Sequence, residues 1–164
     1  MKQPRGHFLP ARRDELRENL THDSYKAKGK LPEPTVCPEC GATYHHGHWS
    51  WQAAAAGAHE RLCPACHRKR DKFPAGYVTL KGPYLKAHRD EITHMVRNCE
   101  GKEKSGHPLE RIMAIEDQKD GILVTTTGTH IARDIAERVH EAYKGEVEFH
   151  YNKDDQLLRA TWSR

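Results

Sequence analysis

The sequence predicts an α+β chain in two parts, and three observations carry that reading. Two Cys-x-x-Cys pairs, Cys37/Cys40 and Cys63/Cys66, stand in the N-terminal half. The C-terminal half alternates strand-like and helix-like apolar periods in the order β-α-β-β-α-β, with one more strand at the end. Charge divides along the same line: residues 1–89 hold 16 Lys/Arg against eight Asp/Glu, and residues 90–164 hold 11 against 15, giving +8 and −4.

Twenty-two residues separate the two cysteine pairs, which is the ligand spacing of a zinc ribbon. Each short turn aims two thiolates at one ion, and the intervening segment folds back to deliver the second pair. The expected ligands are therefore Cys37, Cys40, Cys63 and Cys66. Four sulfurs leave no open coordination position, so the expected Zn2+ is structural and supplies no Lewis-acid chemistry. Gly41 permits the tight knuckle, and Arg61, Arg68, Lys69 and Arg70 are placed to offset the charge of the centre. Redox pairs or disulfides are the competing readings of the cysteines. Redox pairs come singly in βαβ settings, and no secretory signal precedes residue 37.

Residues 1–30 mix eight Lys/Arg with four acids and read as a flexible basic arm, with a short helix over Arg12 to Leu20. The ribbon is expected over residues 31–73, approached through Pro32 and Pro34. Between the ligand pairs, Trp49 and Trp51 share a face if extended, either stacking on unpaired bases or packing on the knuckle. His45, His46 and His48 suggest a second or mixed metal site, or a solvent-facing loop. Gln52 to Glu60 is helix-prone.

The second unit is expected over residues 74–164. Tyr77 to Leu80 reads as a strand, and a helix follows from Pro83 with Leu85, His88, Ile92, Met95, Val96 and Cys99 on one face. Glu100 to Pro108 reads as a polar loop. Leu109 to Glu116 and Ile122 to Thr127 form a hairpin through Asp120-Gly121. Gly128 and Thr129 open a second helix, whose inner face is Ile131, Ile135, Val139 and Tyr143, and Gly145 stops it. Glu146 to Tyr151 alternates, and the last strand places Leu158, Ala160 and Trp162 on one face. This order predicts a ferredoxin-like βαββαβ sandwich with a terminal β extension.

Hydrophobic residues are 36% and aromatics 7% of the 164-residue chain, so the core is modest and metal compensates. No apolar run approaches the length of a membrane span, and the cysteine usage fits a reducing, cytoplasmic setting. Residues 61–89 carry eight Lys/Arg and the single acid Asp71, a density suited to phosphates. The expected nucleic-acid contacts are Arg61, Arg68, Lys69, Arg70 and Lys72, with Trp49 and Trp51.

Cys37-Pro-Glu-Cys-Gly, Trp49, Trp51, Leu62-Cys-Pro-Ala-Cys and the run Asp120 to Arg133 resemble small bacterial zinc proteins. These are grouped with the large-ribosomal-subunit export adaptor of eukaryotes and archaea, a family described as affecting ribosome stability and messenger decay. The resemblance to the bacterial members runs from about Leu31, and to the adaptor it is confined to the zinc region and residues 120–133. It implies RNA or ribosome association with zinc on the four cysteines. The adaptor's further Cys-x-x-Cys pairs and long C-terminal regions have no counterpart here, so nuclear export does not transfer.

Two function classes follow. The first is a non-catalytic RNA- or ribosome-associated protein, and the second is a zinc-ribbon protein-interaction or transcription-associated module using the acidic half. An enzyme is not expected. His130 at a helix start is the one hint of phosphate binding, and no catalytic constellation stands at recognisable spacing.

Overall fold

The computed structural model describes residues 9–10, 25, 29–154 and 156–164. The basic arm expected over residues 1–30, and the short helix expected within it, thus lie almost wholly outside the described residues. Strand β1 (Leu9–Pro10) belongs to the arm and pairs antiparallel with a strand near the C-terminus.

The ribbon is a four-stranded sheet of β2 (Thr35–Val36), β3 (Thr43–His45), β4 (His48–Ser50) and β5 (His59–Glu60), ordered β4-β3-β2-β5. The β3–β4 hairpin turns through His46 and Gly47, both at positive φ (51° and 80°), the conformation of a two-residue hairpin turn. Glu33 fastens that turn by accepting from the His46 and Gly47 amides at 3.0 Å each. The Gly47 amide is the main reason the Glu33 carboxyl sits below its ordinary range, with burial opposing.

The helix expected over Gln52 to Glu60 is absent: the segment is irregular until β5. Five alanines supply propensity, but so short a run is marginal without an apolar face to bury. Here the chain must also return so that His59 pairs with Thr35. Helix α1 (Pro64–Asp71) follows at once, with Pro64 in its first turn and Cys63 as its N-cap.

The larger sheet contains β6 (Gly76–Lys81), β7 (Ile112–Gln118), β8 (Gly121–Thr126), β9 (Glu146–Asn152) and β10 (Leu157–Ser163). Its helices are α2 (Pro83–Ala87), α3 (Arg89–Gly106) and α4 (Thr129–Tyr143). Pairing register builds its inner face. Val78 lies between Ala160 and Val124, and Leu80 lies between Trp162 and Ile122. Against these rows pack Leu85, Ile92, Val96 and Cys99 from α2 and α3, and Ile131, Ile135 and Val139 from α4. Each such aliphatic side chain contributes about 1.5–3 kcal/mol on full burial.

Two expectations about this unit need correction. The polar loop from Glu100 is helical to Gly106. Glu100, Lys102, Glu103 and Lys104 are good helix formers whose polar side chains suit an outward face, so polarity alone did not end the helix. The terminal strand is also no edge extension. In the order β1-β9-β10-β6-β8-β7 it occupies the place beside β6, to which it runs parallel. Leu158, Ala160 and Trp162 are all buried and need a neighbour on each side. β9 alternates exposed Glu146 and Glu148 with half-buried Val147 and Phe149, a pattern suited to an outer position.

Candidate metal centre

Three local devices bring the four cysteines together. β2 runs straight into the first knuckle, where Gly41, at φ 80°, donates its amide to the Cys37 carbonyl at 2.9 Å. The Cys37 amide donates to the Ala42 carbonyl at 2.8 Å, closing the loop. The second pair spans the start of α1, where the Cys66 amide donates to Cys63 Sγ at 3.4 Å. All four cysteines are free thiols, and their sulfurs lie within 4.8 Å of one another. Cys40 and Cys63 Sγ stand 3.8 Å apart, the edge set by four Zn–S bonds of about 2.3 Å around a tetrahedron. The donor set therefore fits a four-coordinate soft metal ion, with Cys37, Cys63 and Cys66 buried and Cys40 half-buried.

Electrostatics explains why such a set wants a cation. Burial pushes the Cys63 and Cys66 thiols up, and for Cys63 the neighbouring cysteines add to the effect. Burial also pushes Cys37 up, but backbone hydrogen bonds from Cys63, Cys40 and Glu39 outweigh it and bring that thiol to about 7. Packed thiols resist ionising together, and a bound ion supplies the charge that lets them do so.

The nearest cation in space is one that sequence reasoning missed. Arg111 is 3% exposed. Its Nη1 donates to Cys66 Sγ at 3.3 Å, and its Nη2 donates to Cys40 and Cys63 Sγ at 3.2 and 3.4 Å. Its Nε donates to the Pro108 carbonyl at 2.6 Å, and its amide donates to Thr127 Oγ1 at 2.9 Å. Burial alone would lower its pKa, but the Cys66 and Cys40 sulfurs more than offset this and raise it. The only sequence signal was the general need of a thiolate centre for cationic donors. That need points equally to every basic residue in the chain.

The basic residues singled out by position have other places. Arg68 is 1% exposed, so it belongs to the interior and not to a phosphate-facing strip. Its guanidinium lies 4.4 Å from the Tyr25 ring centre and donates to the Phe73 carbonyl at 3.1 Å. The reason is helical period: Lys69 and Arg70 point outward from α1 while Ala65 and Arg68 turn in. Arg61, Lys69, Arg70 and Lys72 are exposed, and Arg70 Nε meets Glu39 Oε1 at 2.5 Å, joining α1 to the first knuckle.

The two tryptophans have different partners. Trp49 packs on the cysteine cluster and meets Tyr44 edge-on, with ring centres 5.6 Å apart. Trp51 is 37% exposed and donates its indole N–H to the Lys104 carbonyl of α3 at 2.6 Å. Among the described residues the four cysteines are the one convergent group of metal-ligating side chains, and His45, His46 and His48 are not part of it. Cys99 lies in the large core.

Comparison of the chain with protein-family models, with curated proteins and with solved structures gave no match.

A cleft of about 630 Å³ opens beside the centre. The ribbon side contributes Trp49, Arg61 and Leu62, and the α/β side contributes Glu110, Arg133 and Asp134. Glu110 accepts from the Ile131 amide at 3.1 Å, in the first turn of α4. Burial pushes its carboxyl up to about 6, with the Ile131 amide opposing. Glu103, which shares a hydrogen bond with Asp134, is raised mainly by that contact. His130 lines the same cleft from the start of α4. No helix among the described residues is long and apolar enough to cross a membrane.

Proposed function

We propose that the protein is a non-catalytic, zinc-binding RNA- or ribosome-associated protein of the reducing cytoplasm. The observation that carries this reading is the four-thiol centre at the base of α1, the helix that bears exposed Lys69 and Arg70. An all-thiolate tetrahedral set favours Zn2+ among abundant ions, and bound zinc stiffens the platform from which the cations project. Zinc would be held by Cys37, Cys40, Cys63 and Cys66, with no position left for substrate. The family resemblance points the same way. Because Arg68 is interior, the phosphate-facing set is Arg61, Lys69, Arg70 and Lys72. We read the larger unit as a split βαβ sandwich whose sheet the β9–β10 hairpin widens.

The test is fluorescence anisotropy of zinc-loaded protein with a single-stranded RNA across a salt series. About four phosphate contacts give a log–log slope of roughly −3, at about 0.7 per contact. Lys69→Ala/Arg70→Ala/Lys72→Ala should flatten that slope by about two while zinc content stays at one ion per chain. Wild-type affinity and slope in this variant would overturn the reading. The acidic cleft wall of Glu103, Glu110 and Asp134 favours a protein partner as the second reading, and capture that survives nuclease and high salt would select it.

A further inference from the structure

Arg111 reaches the cysteines from outside the ribbon. It stands one residue before β7, and its Nη2 spans 71 residues of sequence to touch Cys40. Three of its four side-chain hydrogen bonds end on sulfur, and the fourth ends on the Pro108 carbonyl. Among the described residues no carboxylate pairs with it. A guanidinium this deeply buried needs acceptors for its N–H groups, so its place depends on the three sulfurs staying converged on it.

The segment around Arg111 is tied into the α/β unit at several points. Thr127 Oγ1 accepts from the Arg111 amide and donates to the Leu109 carbonyl at 2.6 Å. The Thr127 amide donates to the Arg111 carbonyl at 2.9 Å. Glu110 holds the first turn of α4 through Ile131, and Glu100 Oε1 accepts from the Ile112 amide at 2.9 Å. Leu109 packs on the cysteine cluster itself. Residues 109–112 therefore join the metal centre to α3, β8 and α4, and Leu109 and Glu110 line the cleft.

We infer that Arg111 is the positioning residue through which the metal centre holds the α/β unit against the ribbon, so that a bound ion sets the geometry of the cleft between them. An ion held by the four sulfurs would keep Cys40, Cys63 and Cys66 together as the acceptors of one guanidinium. Without the ion nothing fixes the four sulfurs at one point, the acceptors of Arg111 separate, and Leu109 and Glu110 move with it. The inference rests on the reading of the four cysteines as a metal centre and is independent of RNA binding.

Hydrogen exchange read by mass spectrometry on the full chain, zinc-loaded and chelator-stripped, tests it, with Co2+ absorption counting the ions bound. Stripping should raise exchange across residues 109–112 and 127–131 while β6 and β8 keep their protection. Arg111→Met should still take one Co2+, with affinity lower by roughly tenfold to a hundredfold, the usual cost of losing a partner that supports the ligands. In that variant the 109–112 amides should exchange fast whether or not metal is bound, and Arg111→Lys should restore part of the metal-dependent protection. A merely structural arginine would not make protection follow the ion. One Co2+ bound with no change at 109–112 on stripping overturns the inference and leaves the metal reading intact. Equal loss of protection in β6 and β8 overturns it as a local tie. A chain that takes up no Co2+ overturns both.

Discussion

The ribbon and the α/β unit are held together by different physics. The ribbon's own buried cluster consists of Cys37, Cys63, Cys66 and Ala65, with Cys40, Trp49, Leu62 and Leu109 around it. The α/β unit buries Leu80, Ile92, Ile131, Ile135, Val139 and Trp162 among many others. One unit concentrates its stability at a single point where four thiols meet, and the other spreads it over a sheet face. The first should fail abruptly when one donor is lost, and the second should weaken by increments.

The largest effect expected is that of Cys63→Ser. It removes one sulfur from a closed set whose metal affinity in comparable small sites is worth about 10–16 kcal/mol. Metal analysis should find the variant empty, and the thermal transition of the α/β unit should persist. Full metal content would break the four-cysteine assignment, and loss of both transitions would mean that the units share one core.

Next in size is Ile135→Ala, at a fully buried position of α4. A cavity there should lower the unfolding free energy of the α/β unit by about 2–5 kcal/mol, read by denaturant titration. Metal stoichiometry should not change. A parallel loss of metal would show that the ribbon depends on that core.

The Glu110 carboxyl tests the seam between the two regions. Its folded pKa is raised from 4.5 to about 6, so between those values the folded state binds more protons than the unfolded chain. Stability should therefore fall as pH rises from about 4.5 to 6, by about 2 kcal/mol for a shift of this size. Glu110→Gln can still accept from Ile131 and should remove this part of the pH dependence. Denaturation midpoints at pH 4.5 and pH 7 measure it, and an unchanged slope in the variant would refute the assignment. Glu103, His107 and Asp134 also act on this carboxyl, so the comparison is wild type against variant at each pH.

The smallest effect belongs to Trp51→Phe. The substitution deletes the indole bond to the Lys104 carbonyl, a single partly exposed hydrogen bond worth about 0.5–1.5 kcal/mol. Chemical denaturation should detect a loss near the lower end. A much larger loss would make Trp51, and not Arg111, the main tie between ribbon and α/β unit.

Much of this was legible beforehand because it is local. Cys-x-x-Cys spacing states which side chains a knuckle can aim at one point, and the sulfurs do converge. The period of Ile131, Ile135 and Val139 gave the inner face of α4, and Asp120-Gly121 gave the hairpin, because helix pitch and turn geometry act over a few residues. The failures have physical causes too. Polarity over Glu100 to Pro108 suggests a loop, though polar residues serve equally on an outward helix face, and the helix runs on to Gly106. Alanines before β5 favour helix, but pairing with β2 overrides that propensity.

By itself the sequence determined the thiol donors, the helix faces and the strand alternation. Only the tertiary structure decided that β10 lies beside β6, that Arg68 is interior, that Trp51 reaches α3 and that Arg111 caps the sulfurs. Each of these pairs residues far apart in the chain. Periodicity and spacing specify which way a side chain faces within its own element, but which distant group it meets follows from how the elements pack.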